Sequence, residues 1–237
     1  MKITDIESPT SYSTNESEPM IVYPPEIKRG FLRKVYTVLT LQLLFTTSLC
    51  AATISVKDIQ PFVLNTNVFA ISLMITFVSV CTIGCFASKY PWNILLLGIF
   101  TVAESIVLSR LCLIYFLNGG GMIVIMSAGT TSAVFLLLTA IACFSKKDFS
   151  FMENMLSIGL FTLVGFMIFQ MFFATTFLNI MIGWFGVMLF SGYILYDTSQ
   201  ILHHLGPDDA IHASLMLYLD IINIFVLLLE LFRASSD

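Results

Sequence analysis

Seven apolar runs of about twenty residues each, joined by short polar links, organise this chain. They extend roughly from Val35 to Val56, Asn67 to Ala87, Trp92 to Phe116, Met122 to Phe144, Leu156 to Phe177, Ile180 to Ile201 and Ala210 to Phe232. None alternates polar and apolar residues as a half-buried strand would, and in lipid an unbroken block of this length satisfies its own backbone only as a helix. The pattern predicts an all-α integral membrane protein, a bundle of seven hydrophobic helices. Among the links, Asn118-Gly119-Gly120-Gly121 has no preceding strand and no Gly-Lys-Ser/Thr ending, so it reads as a tight connection and not as a phosphate cradle.

Residues 1–27 are polar, acidic and rich in Ser, Thr, Glu and Pro, which predicts a disordered tail ahead of a single membrane domain over 28–237. The start is acidic and no apolar core follows within the first thirty residues, unlike a cleaved signal peptide, so the first spanning helix directs insertion. Lys28, Arg29, Arg33 and Lys34 precede the first run, and the excess of basic residues on the cytosolic side of membrane proteins places them, and the N-terminus, in the cytosol. Threading the chain from there puts Lys89, the Lys146/Lys147 pair and the His203-to-Asp209 link on the same side. The seventh run carries a polar centre, so two topologies stay open at this level: seven crossings, or six plus a re-entrant segment.

Composition agrees with the pattern. Hydrophobic residues make up 57% and charged ones 11%, against about 25% charged in ordinary soluble domains, and the mean hydropathy is +0.92. No basic run points to nucleic acid. The five cysteines all lie in apolar runs, where thiols act as small hydrophobes, and they form neither a disulfide framework nor a zinc pattern. The 22 phenylalanines and 12 methionines read as lipid-facing and packing material, so no cofactor is expected.

Candidate chemistry is confined to the few charges at lipid depth. Arg110, near a helix end, can reach the head groups along its own stem. Glu104 sits mid-run among Thr101, Ala103 and Ser105, which suits either a wet interior or a buried hydrogen-bonded acid. Asp197 and Asp220 occupy the last two runs, where an aspartate costs roughly 2.5–3.5 kcal/mol on insertion scales and normally faces protein or water. Mirrored across their short link, the two come within one or two helical turns of the same depth, so contact is feasible. Paired carboxyls in a low-dielectric site share a proton and sense pH. Ionised, they are hard oxygen ligands of the kind Ca²⁺ takes, with Asn223 one turn away as a third donor. Structural hydrogen bonding of each acid alone is the plainer alternative. His203, His204 and His212, beside Asp208 and Asp209, miss the zinc-hydrolase spacing and read as solvated surface.

The run Tyr193-Ile194-Leu195-Tyr196-Asp197-Thr198 followed by Leu217-Tyr218-Leu219-Asp220-Ile221-Ile222-Asn223 resembles the signature of the Bax inhibitor 1 family, also called the transmembrane Bax-inhibitor-motif or lifeguard family. Together with Lys89-Tyr90-Pro91-Trp92-Asn93, Glu104 and Ser145-Lys146-Lys147-Asp148-Phe149-Ser150, the chain is similar to its Golgi anti-apoptotic branch, and the variant tail suggests a poxvirus copy. The resemblance implies seven helices with the last one central, and a pH-sensitive Ca²⁺ leak from Golgi or endoplasmic reticulum stores that suppresses apoptosis. It makes Asp197 and Asp220 the pH-sensing pair. Bacterial relatives bridge that pair with an arginine at the cytosolic end of the second helix. Here that end reads Ala87-Ser88-Lys89, which leaves Lys89 as a shifted latch.

The implied partners are Ca²⁺ as transported ion, membrane lipid and regulators of apoptosis, with homo-oligomerisation open. The implied protein is not an enzyme. Two other classes compete: an intramembrane aspartyl protease, against which the absence of a Gly-x-Gly-Asp motif speaks, and a non-conducting scaffold for apoptosis regulators.

Overall fold

The computed structural model describes residues 24–235 apart from 87–89, 146 and 174. Most of the N-terminal tail and the latch position Lys89 therefore lie outside the described residues. The order is α1 (Pro25–Ser55), α2 (Gln60–Leu64), α3 (Thr66–Phe86), α4 (Trp92–Leu117), α5 (Gly121–Phe144), α6 (Glu153–Phe172), α7 (Thr176–His203) and α8 (Ala210–Ala234). Single 3₁₀ turns at Ser150–Met152 and Pro207–Asp209 precede α6 and α8. All but α2 are long and apolar enough to cross a membrane.

The seven predicted runs each became a helix, with displaced ends. The first helix starts at Pro25, ten residues before its apolar run and three inside the stretch read as tail. Pro25 suits a first helical position, where its missing N–H would have no partner in any case, and Phe31 and Val35 are buried among the basic residues of those early turns. The sixth predicted run begins four residues before Ile180: α7 starts at Thr176, where the Thr175 side chain caps it by accepting the Leu178 N–H at 3.2 Å. At the glycine link, Gly119 takes a positive φ of 83°, a conformation that suits glycine, and the Gly120 N–H closes on the Tyr115 carbonyl at 2.9 Å.

The last helix is the axis of the bundle. In α8, 67% of the membrane-length window is buried, against 39% for the next most covered helix, α4. Its Ile221, Ile222, Phe225 and Leu229 pack into a core with α1, α3 and α4. Its Ile224, Leu227, Leu228 and Leu231 pack into a second core with α6 and α7. Phe135 of α5 touches both. Apolar on nearly every side and bounded by protein, α8 is the buried kind of helix. It runs unbroken for 25 residues, about 38 Å at 1.5 Å per residue, which fits a full crossing and not a re-entrant turn.

Its most intimate neighbour is α7. The two helices are antiparallel and meet where α7 has no side chain: a Cβ on Gly186 would fall 2.7 Å from Leu227 Cδ1, and one on Gly183 would fall 3.2 Å from Leu231 Cβ. Small residues at such contacts let membrane helices approach closely enough for dispersion forces to hold them.

Replacing Gly186 by Leu should wedge α7 from α8. Overpacking of this kind costs about 1–3 kcal/mol, so the Gly186→Leu protein should unfold at lower temperature in detergent, whereas Gly129→Leu on α5, where an added Cβ meets nothing within 4 Å, should not. Thermal-shift measurements on the two proteins check this.

Candidate functional site

The glycine contact sets the register of the acids. Asp197 lies eleven residues, about three turns, beyond Gly186, and Asp220 lies seven residues, about two turns, before Leu227. Whole turns return each side chain to the face on which the helices meet. Both acids are buried, 5% and 4% exposed, and their carboxyls face each other at hydrogen-bonding range. No donor from elsewhere in the protein reaches the buried Oδ2 of Asp220.

The pair borders a cavity of about 730 Å³ between α6, α7 and α8, which Asn223 also lines. Tyr193 stands over it, beside Ser157 of α6 and within electrostatic reach of both acids. Tyr196, one turn on, lies beside Gln200 and Glu153. Among the described residues, no three His, Cys, Asp or Glu side chains converge as a metal site. Ca²⁺ takes six to eight oxygens, more than the two carboxyls and one amide gathered here supply.

A carboxyl pair on an unbroken final hairpin is the arrangement that the two sequence motifs foreshadow. The family of inhibitors of apoptosis-promoting Bax1 matches residues 28–237. The chain belongs to this family. It is 32% identical to Protein LIFEGUARD 4 of Arabidopsis thaliana over 98% of this chain and 96% of that one. It is 31% identical to the Golgi anti-apoptotic protein of vaccinia virus over 98% and 95%, and 34% identical to Bax inhibitor 1 of Schizosaccharomyces pombe over 95% and 84%.

Within this Bax1-inhibitor chain the remaining candidates separate. Glu104 does not join the pair: it is half-buried on α4, beside Thr76 of α3 and within electrostatic reach of Tyr218. Thr76 nonetheless has no well-formed hydrogen bond. Arg110 donates to the Leu64 carbonyl at the end of α2, in the link between α1 and α3, and stacks over Phe69, 4.8 Å from the ring centre.

Two further arrangements went unread in the sequence. Residues four apart on α1 and four apart on α4 form a ladder: Gln42 Nε2 donates to Thr101 Oγ1 at 3.0 Å, Thr46 meets Ser105 at 2.8 Å, and Ser109 donates to the Cys50 sulfur at 3.4 Å. The buried Tyr218 hydroxyl of α8 joins it at Thr46, 2.8 Å away. The shared spacing of these small polar residues was the available signal.

The second arrangement pins the α5–α6 link to the end of α7. His204 Nε2 lies 2.9 Å from Asp148 Oδ2, Ser150 Oγ donates to Asp148 Oδ1 at 2.6 Å, and Ser199 Oγ accepts the Phe149 N–H at 3.1 Å. His204 is therefore held in a contact and is not free surface. Partial burial works against the Asp148 charge, but hydrogen bonds from the Ser150 side chain, His204 and the Ser150 amide outweigh it and hold this carboxyl well below the usual aspartate range.

A carboxyl whose folded-state value is depressed contributes stability above its unfolded value, about 3.9, and loses it as pH falls toward the folded one. Hydrogen-exchange protection of the Phe149 and Ser150 amides should then persist at neutral pH and decline in acid below about pH 4. Asp148→Asn should lower it at neutral pH and flatten the decline in acid. Exchange mass spectrometry of the link peptide reads both.

Proposed function

We propose that this protein is a pH-sensitive cation leak of Golgi membranes that lowers store Ca²⁺ and thereby opposes apoptosis. The buried Asp197–Asp220 pair beside a cavity large enough for water is the observation that carries the reading. Two facing carboxyls in a low-dielectric interior cannot both hold full charge at close range, so a proton lies between them at rest. Removing it leaves repelling charges that a cation relieves. Protonation of the pair and cation passage then compete for the same oxygens.

Family membership supports the anti-apoptotic part, and the vaccinia relative's name supports the Golgi. The basic residues Lys28, Arg29, Arg33 and Lys34 in the opening turns of α1 support a cytosolic N-terminus, and with seven crossings the α5–α6 and α7–α8 links share its side in this reading. The same pair of acids suits the acid–base hydrolysis of an aspartyl protease. Against this, Leu217 to Asn223 is continuous helix around Asp220, leaving no extended backbone there to present a peptide.

Ca²⁺ efflux from liposomes holding purified protein should change several-fold with pH, and Asp197→Asn with Asp220→Asn should flatten that profile. An unchanged profile in the double variant removes the pair from the mechanism. Full protection of cells by a double variant without flux identifies a scaffold instead.

A further inference from the structure

The dyad has to be reached from water, and the cavity beside it is built asymmetrically. α6 rests on α7, which leaves a cleft between α6 and α8 with α7 as its back wall. Polar side chains gather at the end next to the two links: Glu153 and Ser157 in the opening turns of α6, Tyr196 and Gln200 toward the end of α7, and His212 in the first turn of α8. Past the dyad the walls become Leu163, Val164, Met167, Phe190, Val226 and Leu227. The polar stretch thus runs from the link end to the acids and ends within a turn of them, at Tyr193 and Asn223.

Two buried atoms of this lining have no hydrogen-bond partner outside the dyad: Oδ2 of Asp220, a residue 4% exposed, and Nδ1 of His212. Buried polar atoms are nearly always satisfied, by water where protein does not supply a group. A cavity of about 730 Å³ has room for many waters at about 30 Å³ each. The titratable lining comprises Glu153, Tyr193, Tyr196, Asp197, His212 and Asp220, with no lysine or arginine. A second cavity, about 540 Å³ between α1, α4, α5 and α8, is lined by apolar side chains, hydroxyls and thiols without any charged group, and suits lipid.

From this contrast we infer that the α6–α8 cleft is the aqueous access route by which cations and protons reach the dyad, with Glu153 as the carboxylate at its mouth that concentrates cations. Tyr196 and Gln200 continue the polar wall from Glu153 inward to Asp197. The inference rests on the dyad governing flux, and its test separates the two claims.

With the five native cysteines replaced by serine, Ser157→Cys on α6 and Met216→Cys on α8 each place a thiol in the cleft, while Leu136→Cys places one in the second cavity. A membrane-impermeant charged thiosulfonate added on the link side should modify the first two and cut Ca²⁺ efflux, and should leave Leu136→Cys unmodified. Glu153→Gln should lower efflux about threefold or more at low ionic strength, with the deficit shrinking as salt screens the mouth. That salt dependence would not follow from a merely structural role. Reaction of the cleft thiols only with a lipid-soluble maleimide would overturn the route, as would modification without loss of flux. Wild-type efflux from Glu153→Gln at low salt would remove Glu153 from it. A flat response to Asp197→Asn plus Asp220→Asn alongside water-accessible cleft thiols would instead defeat the dyad reading and leave the cleft an aqueous path.

Discussion

The fold turns on one placement: a helix enclosed by protein on most of its surface carries an aspartate that meets a second aspartate across a close helix contact. Lipid offers no hydrogen bonds, so a carboxyl there needs a partner or water. Asp220 has Asp197 and a cavity. Close approach of α7 and α8 requires Gly183 and Gly186, and the helical repeat carried from those contacts brings the acids to the shared face. The two halves of the bundle then close around α8, each contributing its own apolar core.

Polar groups elsewhere are distributed by the same economy. The ladder between α1 and α4 ties hydroxyls, an amide and a thiol to one another and to Tyr218, so that no charge is needed to join that half. Arg110 finds a carbonyl acceptor and an aromatic face. Charged contacts are left to the membrane boundary, where Asp148 and His204 fasten a link to a helix end. The two cavities follow the same division, one with acids in its wall and the other with hydroxyls and thiols as its only polar side chains.

The apolar runs sufficed for the number of helices because burial in lipid demands long uninterrupted hydrophobic stretches whatever their neighbours are. Helix ends were less legible. Pro25 and Thr175 move them by backbone geometry and capping, which hydropathy does not register. The meeting of Asp197 and Asp220 was legible as feasible because charge at that depth is costly and their spacing from the link matches. Glu153 was not, since an acid beside a polar link looks like any solvated residue until α6 is placed along α7.

By itself, then, the order of residues determined a seven-helix membrane bundle, a final antiparallel hairpin and the two acids within it, because each follows from local hydrophobicity and spacing. Tertiary packing alone decided that Glu104 stands apart from those acids, that His204 is bound to Asp148, and that a cleft with a third carboxylate opens beside the pair. Those outcomes depend on which helix faces which, and helices of nearly uniform apolarity carry little one-dimensional record of that choice.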